Sequence, residues 1–240
     1  MVSPFSIKAI DILEKTGCDY YKIASGEVTN LQLLKKIIKT KKKIFLSSGM
    51  SNWKELDQAV NILKKGKDLV IMQCTSLYPC SHKKVGLNII NQMLKKYKFD
   101  IGFSDHTTEI TAAISAATIG AKFIEKHLTI SRRMYGSDAK NSMEPKEFKE
   151  LAKNLKNVDE MISFPLNKNN LSDFKNTRII FQKSIVSKKK LKKGHKINLS
   201  DLDFKKPGDG IYPNMLQLIL GKKIKKNISK DYKFKLKDFV

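Results

Sequence analysis

An apolar strand followed by an amphipathic helix recurs down the first 160 or so residues of this chain, and that alternation constrains its fold more than any other feature. The strand-like runs are Val2–Phe5, Tyr20–Ala24, Ile44–Leu46, Leu69–Cys74, Ile101–Phe103 and Lys122–Glu125. Between them lie helical patterns at Ser6–Lys15, Asn30–Lys39, Asn52–Lys65, Gly86–Tyr97 and Glu109–Ile119. The run after Asn30 carries a clear 3.6-residue apolar stripe, and Asn30 is a natural cap for it. Strands that alternate with helices form a parallel sheet, because parallel neighbours need a crossover rather than a tight turn. Polar residues follow each strand: Ser25-Gly26-Glu27, Ser47-Ser48-Gly49, Thr75-Ser76, Ser104-Asp105-His106 and His127. In a (β/α)8 barrel the active site is built on that carboxyl-end rim.

A complete barrel takes ~250 residues and eight units, whereas six units are visible here. The first residues already read as a strand end running into a helix. The expected fold is therefore an α/β (β/α)8 TIM barrel lacking its first two β/α units, over residues 1–162. Six strands could instead make an open doubly wound sheet. A Ser/Asn/Lys-rich linker is expected over 163–176, followed at 177–240 by a small β-rich domain of short strands and tight turns, including Ile179–Ser187 and Lys206-Pro207-Gly208-Asp209-Gly210.

The formal charge of +24 suggests a nucleic-acid or anionic-membrane partner. Of the 47 basic residues, however, only Arg132, Arg133 and Arg178 are arginines, leaving 47 − 3 = 44 lysines. A nucleic-acid reader favours the two-point grip of arginine, and lysines spread over helix faces read as coding bias. No nucleic acid and no membrane is expected. Residues 161–240 carry 20 basic and 6 acidic groups, against 27 and 17 before them, so the C-terminal part is the better site for an anionic contact. Three cysteines without a CxxC pair and the lack of a ~20-residue apolar run fit a soluble cytoplasmic protein. Cys74 and Cys80 read as packing residues, and Asp105 as a helix cap.

Among only four histidines, His106 and His127 each lie just past an apolar run, one helix apart. On neighbouring parallel strands both imidazoles would emerge at one rim, where they could share a divalent metal. Either alone would read as a structural histidine.

The rim segments together resemble the sialic acid synthases, phosphoenolpyruvate-dependent enzymes that make nine-carbon 2-keto acids such as N-acetylneuraminate, legionaminate and pseudaminate. The matching segments are Ser3-Pro4-Phe5, Tyr21-Lys22-Ile23-Ala24-Ser25-Gly26-Glu27, Leu46-Ser47-Ser48-Gly49-Met50 and Gln73-Cys74-Thr75-Ser76-Leu77-Tyr78-Pro79. They continue with Gly102-Phe103-Ser104-Asp105-His106-Thr107, Ile124-Glu125-Lys126-His127-Leu128-Thr129 and Gly136-Ser137-Asp138. The tail around Lys206-Pro207-Gly208 is similar to the family's C-terminal antifreeze-like (SAF) domain. The resemblance implies condensation of phosphoenolpyruvate with an N-acetylated aldose, such as N-acetylmannosamine, and release of phosphate. It implies that His106 and His127 hold Mn²⁺, a role Mg²⁺ or Co²⁺ could also fill. Lys22, Ser25, Ser47 and Ser104 would bind phosphoenolpyruvate, with Lys22 supplying a full charge. Glu27 would handle protons. Ser3, Ser76 and Tyr78 would contribute to the substrate pocket, and Asp138 and Lys206 would contact the sugar. A domain-swapped homodimer is implied, in which Lys206 reaches the partner's site. The family carries arginine before Pro-Gly; lysine keeps the charge and loses the two-point geometry. Three readings stand at this stage: such a synthase, an inactive fragment that keeps its fold and dimer contacts, and a basic polyanion-binding module.

Overall fold

The computed structural model describes residues 1–66 and 68–240, which form two compact units, Met1–Pro165 and Leu166–Val240. The first contains five parallel strands: β1 (Tyr20–Ile23), β2 (Lys43–Ser47), β3 (Asp68–Cys74), β4 (Asp100–Asp105) and β5 (Phe123–Lys126). Their order in the sheet is their order in the chain. A doubly wound sheet reverses order at a switch point; an arc of a barrel does not. The unit is a half-barrel, a partial TIM barrel. Its helices are α1 (Ile7–Lys15), α2 (Leu31–Ile37), α3 (Trp53–Leu63), α4 (Leu87–Lys96), α5 (Thr111–Thr118) and α6 (Pro145–Ser163). Helix α6, which the strand–helix periodicity did not single out, starts with Pro145 at its first turn and a reciprocal Glu144–Glu147 capping box.

Local chemistry sets the helix starts. Asn30 Oδ1 accepts from Leu33 N at 3.2 Å, and Asn52 and Glu55 form a complete capping box. The stripe of α2 then buries Leu33, Leu34 and Ile37. These join Ile23, Leu46, Ile71 and Phe103 from the strands in one core. Each such side chain contributes roughly 1.5–3 kcal/mol when removed from water. Strand β3 is buried at every position after Asp68, as a central parallel strand must be.

The first expected strand, Val2–Phe5, is reduced to one parallel bridge, Val2 with Tyr21, held by Val2 N to Tyr20 O and Lys22 N to Val2 O. Pro4 has no N–H to extend it, and Ser6 is already the cap of α1, accepting from Ala9 N. Five strands therefore stand where six were expected.

The second unit is a small β domain. It pairs β6 (Ser184–Ser187) with β7 (Leu202–Lys205) antiparallel and adds short bridges around a core that includes Ile185, Ile197, Ile219 and Phe234. Ahead of β6, part of the segment expected to be extended forms α7 (Lys175–Phe181). The apolar run Ile179-Ile180-Phe181 favours a strand locally, but Gln182 closes the helix instead. Its N–H donates to Arg178 O at 2.8 Å and its side chain accepts from Arg178 Nε at 3.2 Å. Among the described residues no helix is long and apolar enough to cross a membrane.

Candidate active site

Strand alternation decides which side chains face the barrel interior. In the β3–β4–β5 register, Cys74, Ser104 and Glu125 lie in one row, and all three line a cavity of about 390 Å³ at the carboxyl ends of the strands. Lys22 and Ser47 enter it from β1 and β2, and His106 and His127 from just beyond β4 and β5. Ser3, Ser25, Ser76 and Tyr78 also line it, from the loops above. Gly49 makes this convergence possible: a Cβ there would collide with the hydroxyls of both Ser25 and Ser76.

Lys22 is buried, with Nζ donating to Ser47 Oγ at 2.6 Å. The same nitrogen lies 3.1 Å from Glu125 Oε2, yet that buried oxygen has no aligned hydrogen-bond partner among the described residues. One face of the cavity thus presents a cation beside a carboxylate oxygen with spare capacity.

The two imidazoles stand edge to face, with ring centroids 5.2 Å apart, and Tyr78 stacks on His106 at 4.2 Å. His106 Nδ1 faces the Thr75 carbonyl at 2.9 Å; a carbonyl can only accept, so Nδ1 donates there and in the neutral ring Nε2 carries the lone pair. His127 Nδ1 is 3.7 Å from Asp138 Oδ2. Burial and the neighbouring His106 lower the His127 pKa, with Asp138 opposing. Burial also lowers that of His106, but Cys74 and the Thr75 carbonyl outweigh it and the net shift is upward. Neutral imidazole with a free Nε2 is the form a metal takes, so the donor set fits a divalent ion. Among the described residues, no third His, Cys, Asp or Glu completes a three-ligand cluster.

Three expected site residues lie outside the cavity lining. Glu27 follows the rim residue Gly26 and turns to the start of α2, where Oε2 accepts from Asn30 Nδ2 at 2.7 Å. Asp138 stands behind His127. Lys206 belongs to the second unit, with Nζ 5.1 Å from the Phe181 ring centroid. Two residues gain in importance. Glu125 was legible in principle, because in Phe123-Ile124-Glu125-Lys126-His127 it shares a strand face with His127. Cys74 is no inert packing residue. Burial pushes its thiol up, but hydrogen bonds with His106 and Ser25, with help from Ser76, bring it down to about 7. No base is near Cys74 in sequence; His106 arrives only through the β3–β4 pairing. Asp105 does not cap α5, which begins after Ile110 with no side-chain cap; it forms a buried ion pair with Lys126 instead.

A half-barrel with a serine-lined cavity that holds Lys22 and two imidazoles at its rim, joined in one chain to a small β domain, defines a partial TIM barrel with an appended module. Residues 1–165 match the NeuB family and residues 182–239 the SAF domain, and the chain belongs to the NeuB family. It is 37% identical over 233 residues to the N,N'-diacetyllegionaminic acid synthase of Campylobacter jejuni, covering 95% of this chain and 70% of that one. The pseudaminic acid synthase of the same species is 30% identical, with 99% and 69% covered. The crystal structure of N-acetylneuraminic acid synthetase from Leptospira borgpetersenii superposes with a TM-score of 0.68 at 30% identity, over 73% of this chain and 62% of that one. The chain thus spans about two thirds of the length of these relatives.

Proposed function

We propose that this chain carries the active-site portion of a synthase that condenses phosphoenolpyruvate with an N-acetylated aldose to a nine-carbon 2-keto acid, releasing phosphate. The observation that carries the reading is the convergence of Lys22, Ser25, Ser47, Ser104, His106 and His127 on one cavity in a NeuB-family chain. The Lys22 ammonium, already bonded to Ser47, meets the phosphate and carboxylate of phosphoenolpyruvate, and the serine hydroxyls supply further donors. Ser3, Ser76 and Tyr78 shape the wall around the acceptor. His106 and His127 would hold a divalent ion, Mn²⁺ by preference. When bound, that ion supplies Lewis acidity toward the sugar carbonyl.

Proton handling falls to Glu125, the carboxylate inside the cavity, whose Oε2 lies against the Lys22 ammonium without an aligned hydrogen bond and faces the space the reacting carbons would fill. Glu27 at the rim is the second candidate. Asp138, 3.7 Å from His127 Nδ1, would accept from a sugar hydroxyl. Lys206 would serve the sugar of a partner copy in a swapped homodimer, and the cytoplasm would be the site of the reaction.

The test is phosphate release from phosphoenolpyruvate that depends on both an added N-acetylated aldose and Mn²⁺, with the nine-carbon product identified by mass. The second reading is an inactive chain that keeps its fold and dimer contacts, and it is favoured by the chain's spanning about two thirds of its relatives' length. A folded, dimeric chain that releases no phosphate supports that second reading; a chain that neither releases phosphate nor dimerises refutes both.

A further inference from the structure

Asp105 and Lys126 are Cα partners in the β4–β5 register, each the last residue of its strand. Their neighbours Ser104, His106, Glu125 and His127 all line the cavity, so alternation turns Asp105 and Lys126 to the opposite face. There the two side chains meet at 2.8 Å with exposures of 0% and 1%. The Lys126 ammonium also donates to the Thr107 and Glu109 carbonyls and to the Thr107 hydroxyl. Asp105 Oδ1 accepts from Thr107 N at 2.8 Å. One buried cation therefore ties the end of β5 to the end of β4 and to the loop that leaves His106.

We propose that Asp105 and Lys126 are positioning residues, a clamp behind the cavity that sets the separation and tilt of the His106 and His127 rings. Each histidine follows a clamp residue directly in the chain, so splay between the strand ends passes straight to the imidazoles. Stability alone does not explain the pair. Removing two charges from water costs about what their attraction returns, and packed apolar residues commonly do as well. Apolar residues could not direct hydrogen bonds onto both strand ends and the loop. The other hydrogen bonds act on each histidine separately, Thr75 O and Cys80 N on His106 and Met143 N on the His127 carbonyl, and the packing of Tyr78 against both rings supplies no directed bond between the strand ends.

Charge makes the proposal testable, because the two effects differ in sign. Removing the Lys126 cation takes a repulsive charge away from the imidazole pair, so by field alone Lys126→Met should tighten cation binding. Loss of positioning should weaken it. The double variant Asp105→Asn/Lys126→Met deletes both charges and leaves the net field nearly unchanged.

The experiment is an Mn²⁺ titration of the 240-residue chain followed by the paramagnetic resonance of free ion, with ring ¹⁵N spectra of the metal-free histidines and thermal unfolding alongside. In folded Lys126→Met and in the double variant, Mn²⁺ affinity should fall roughly 10- to 100-fold, the scale for losing an outer-shell support. The His106 and His127 ring signals should broaden or move. Wild-type affinity and unchanged ring spectra in the folded variants overturn the proposal, as does failure of every variant to fold, which would make the pair purely structural. The metal arm rests on the two-imidazole reading above. If the wild type takes up no Mn²⁺, that reading fails by itself and the ring spectra alone decide the clamp.

Discussion

Replacing Lys22 by methionine keeps the unbranched apolar stem of the side chain and deletes the ammonium, its charge and its N–H donors together. In the structure that charge is buried in the cavity, 2.6 Å from Ser47 Oγ and 3.1 Å from Glu125 Oε2. A hydrogen bond to an ionised partner contributes roughly 1.5–3 kcal/mol. At 1.4 kcal/mol per factor of ten, phosphoenolpyruvate should bind roughly 10- to 140-fold more weakly to Lys22→Met. Lys22→Arg should not restore binding, because a planar guanidinium cannot take the place of a compact ammonium between Ser47 and Glu125. The assay is calorimetric titration with phosphoenolpyruvate, with circular dichroism confirming the fold. A folded Lys22→Met chain that binds within about twofold of wild type would show that the ammonium is not the anion contact, and the orientation assigned to phosphoenolpyruvate would fall.

Three further outcomes are expected. In an active preparation, chelator should abolish turnover and Mn²⁺ restore it, while His106→Ala or His127→Ala prevents the rescue; metal-dependent turnover in both variants would refute the assignment. Asp201 in the second unit is pushed up by burial but held at about 2, against an ordinary 3.8, by hydrogen bonds from His195, Lys189 and Asn198 N. A lowered carboxylate stabilises above its unfolded value, so about 2 kcal/mol should be lost as pH falls from near 4 to near 2. Acid titration of unfolding should show this in the wild type and not in Asp201→Asn. Finally, if Lys206 serves a partner copy, mixed dimers of Lys206→Ala with His127→Ala chains should place both defects in one site and recover about half the turnover, measured on heterodimers confirmed by mass; no recovery would deny the exchange.

The sequence showed the scaffold clearly and the cavity in part, for separable reasons. Periodicity and caps are local, so the helices after Asn30 and Asn52 and the strands between them could be read residue by residue. The fate of Val2–Phe5 depended on competition between a strand and the cap of α1, which Ser6 decides. Helix α7 formed where Ile179-Ile180-Phe181 suggests a strand, because Gln182 bonds back to Arg178 through main chain and side chain. Within the site, the histidines followed from their strand-end positions, and Lys22 from the family resemblance. Glu27 drew attention because it follows a strand, yet the turn carries it to Asn30. Glu125 sat in plain view on the same strand face as His127. The Cys74–His106 contact, by contrast, joins residues 32 apart and exists only once β3 and β4 pair.

The account stands on one claim, that an anion site at Lys22 and a metal site at His106 and His127 share a single cavity. Crystals of the chain grown with Mn²⁺ and phosphoenolpyruvate, measured at the manganese edge, test it directly. The account predicts one anomalous peak between the two imidazoles, with phosphoenolpyruvate density against Lys22 and Ser47 in the same cavity. Manganese bound away from both histidines, or phosphoenolpyruvate bound outside the cavity, would contradict it.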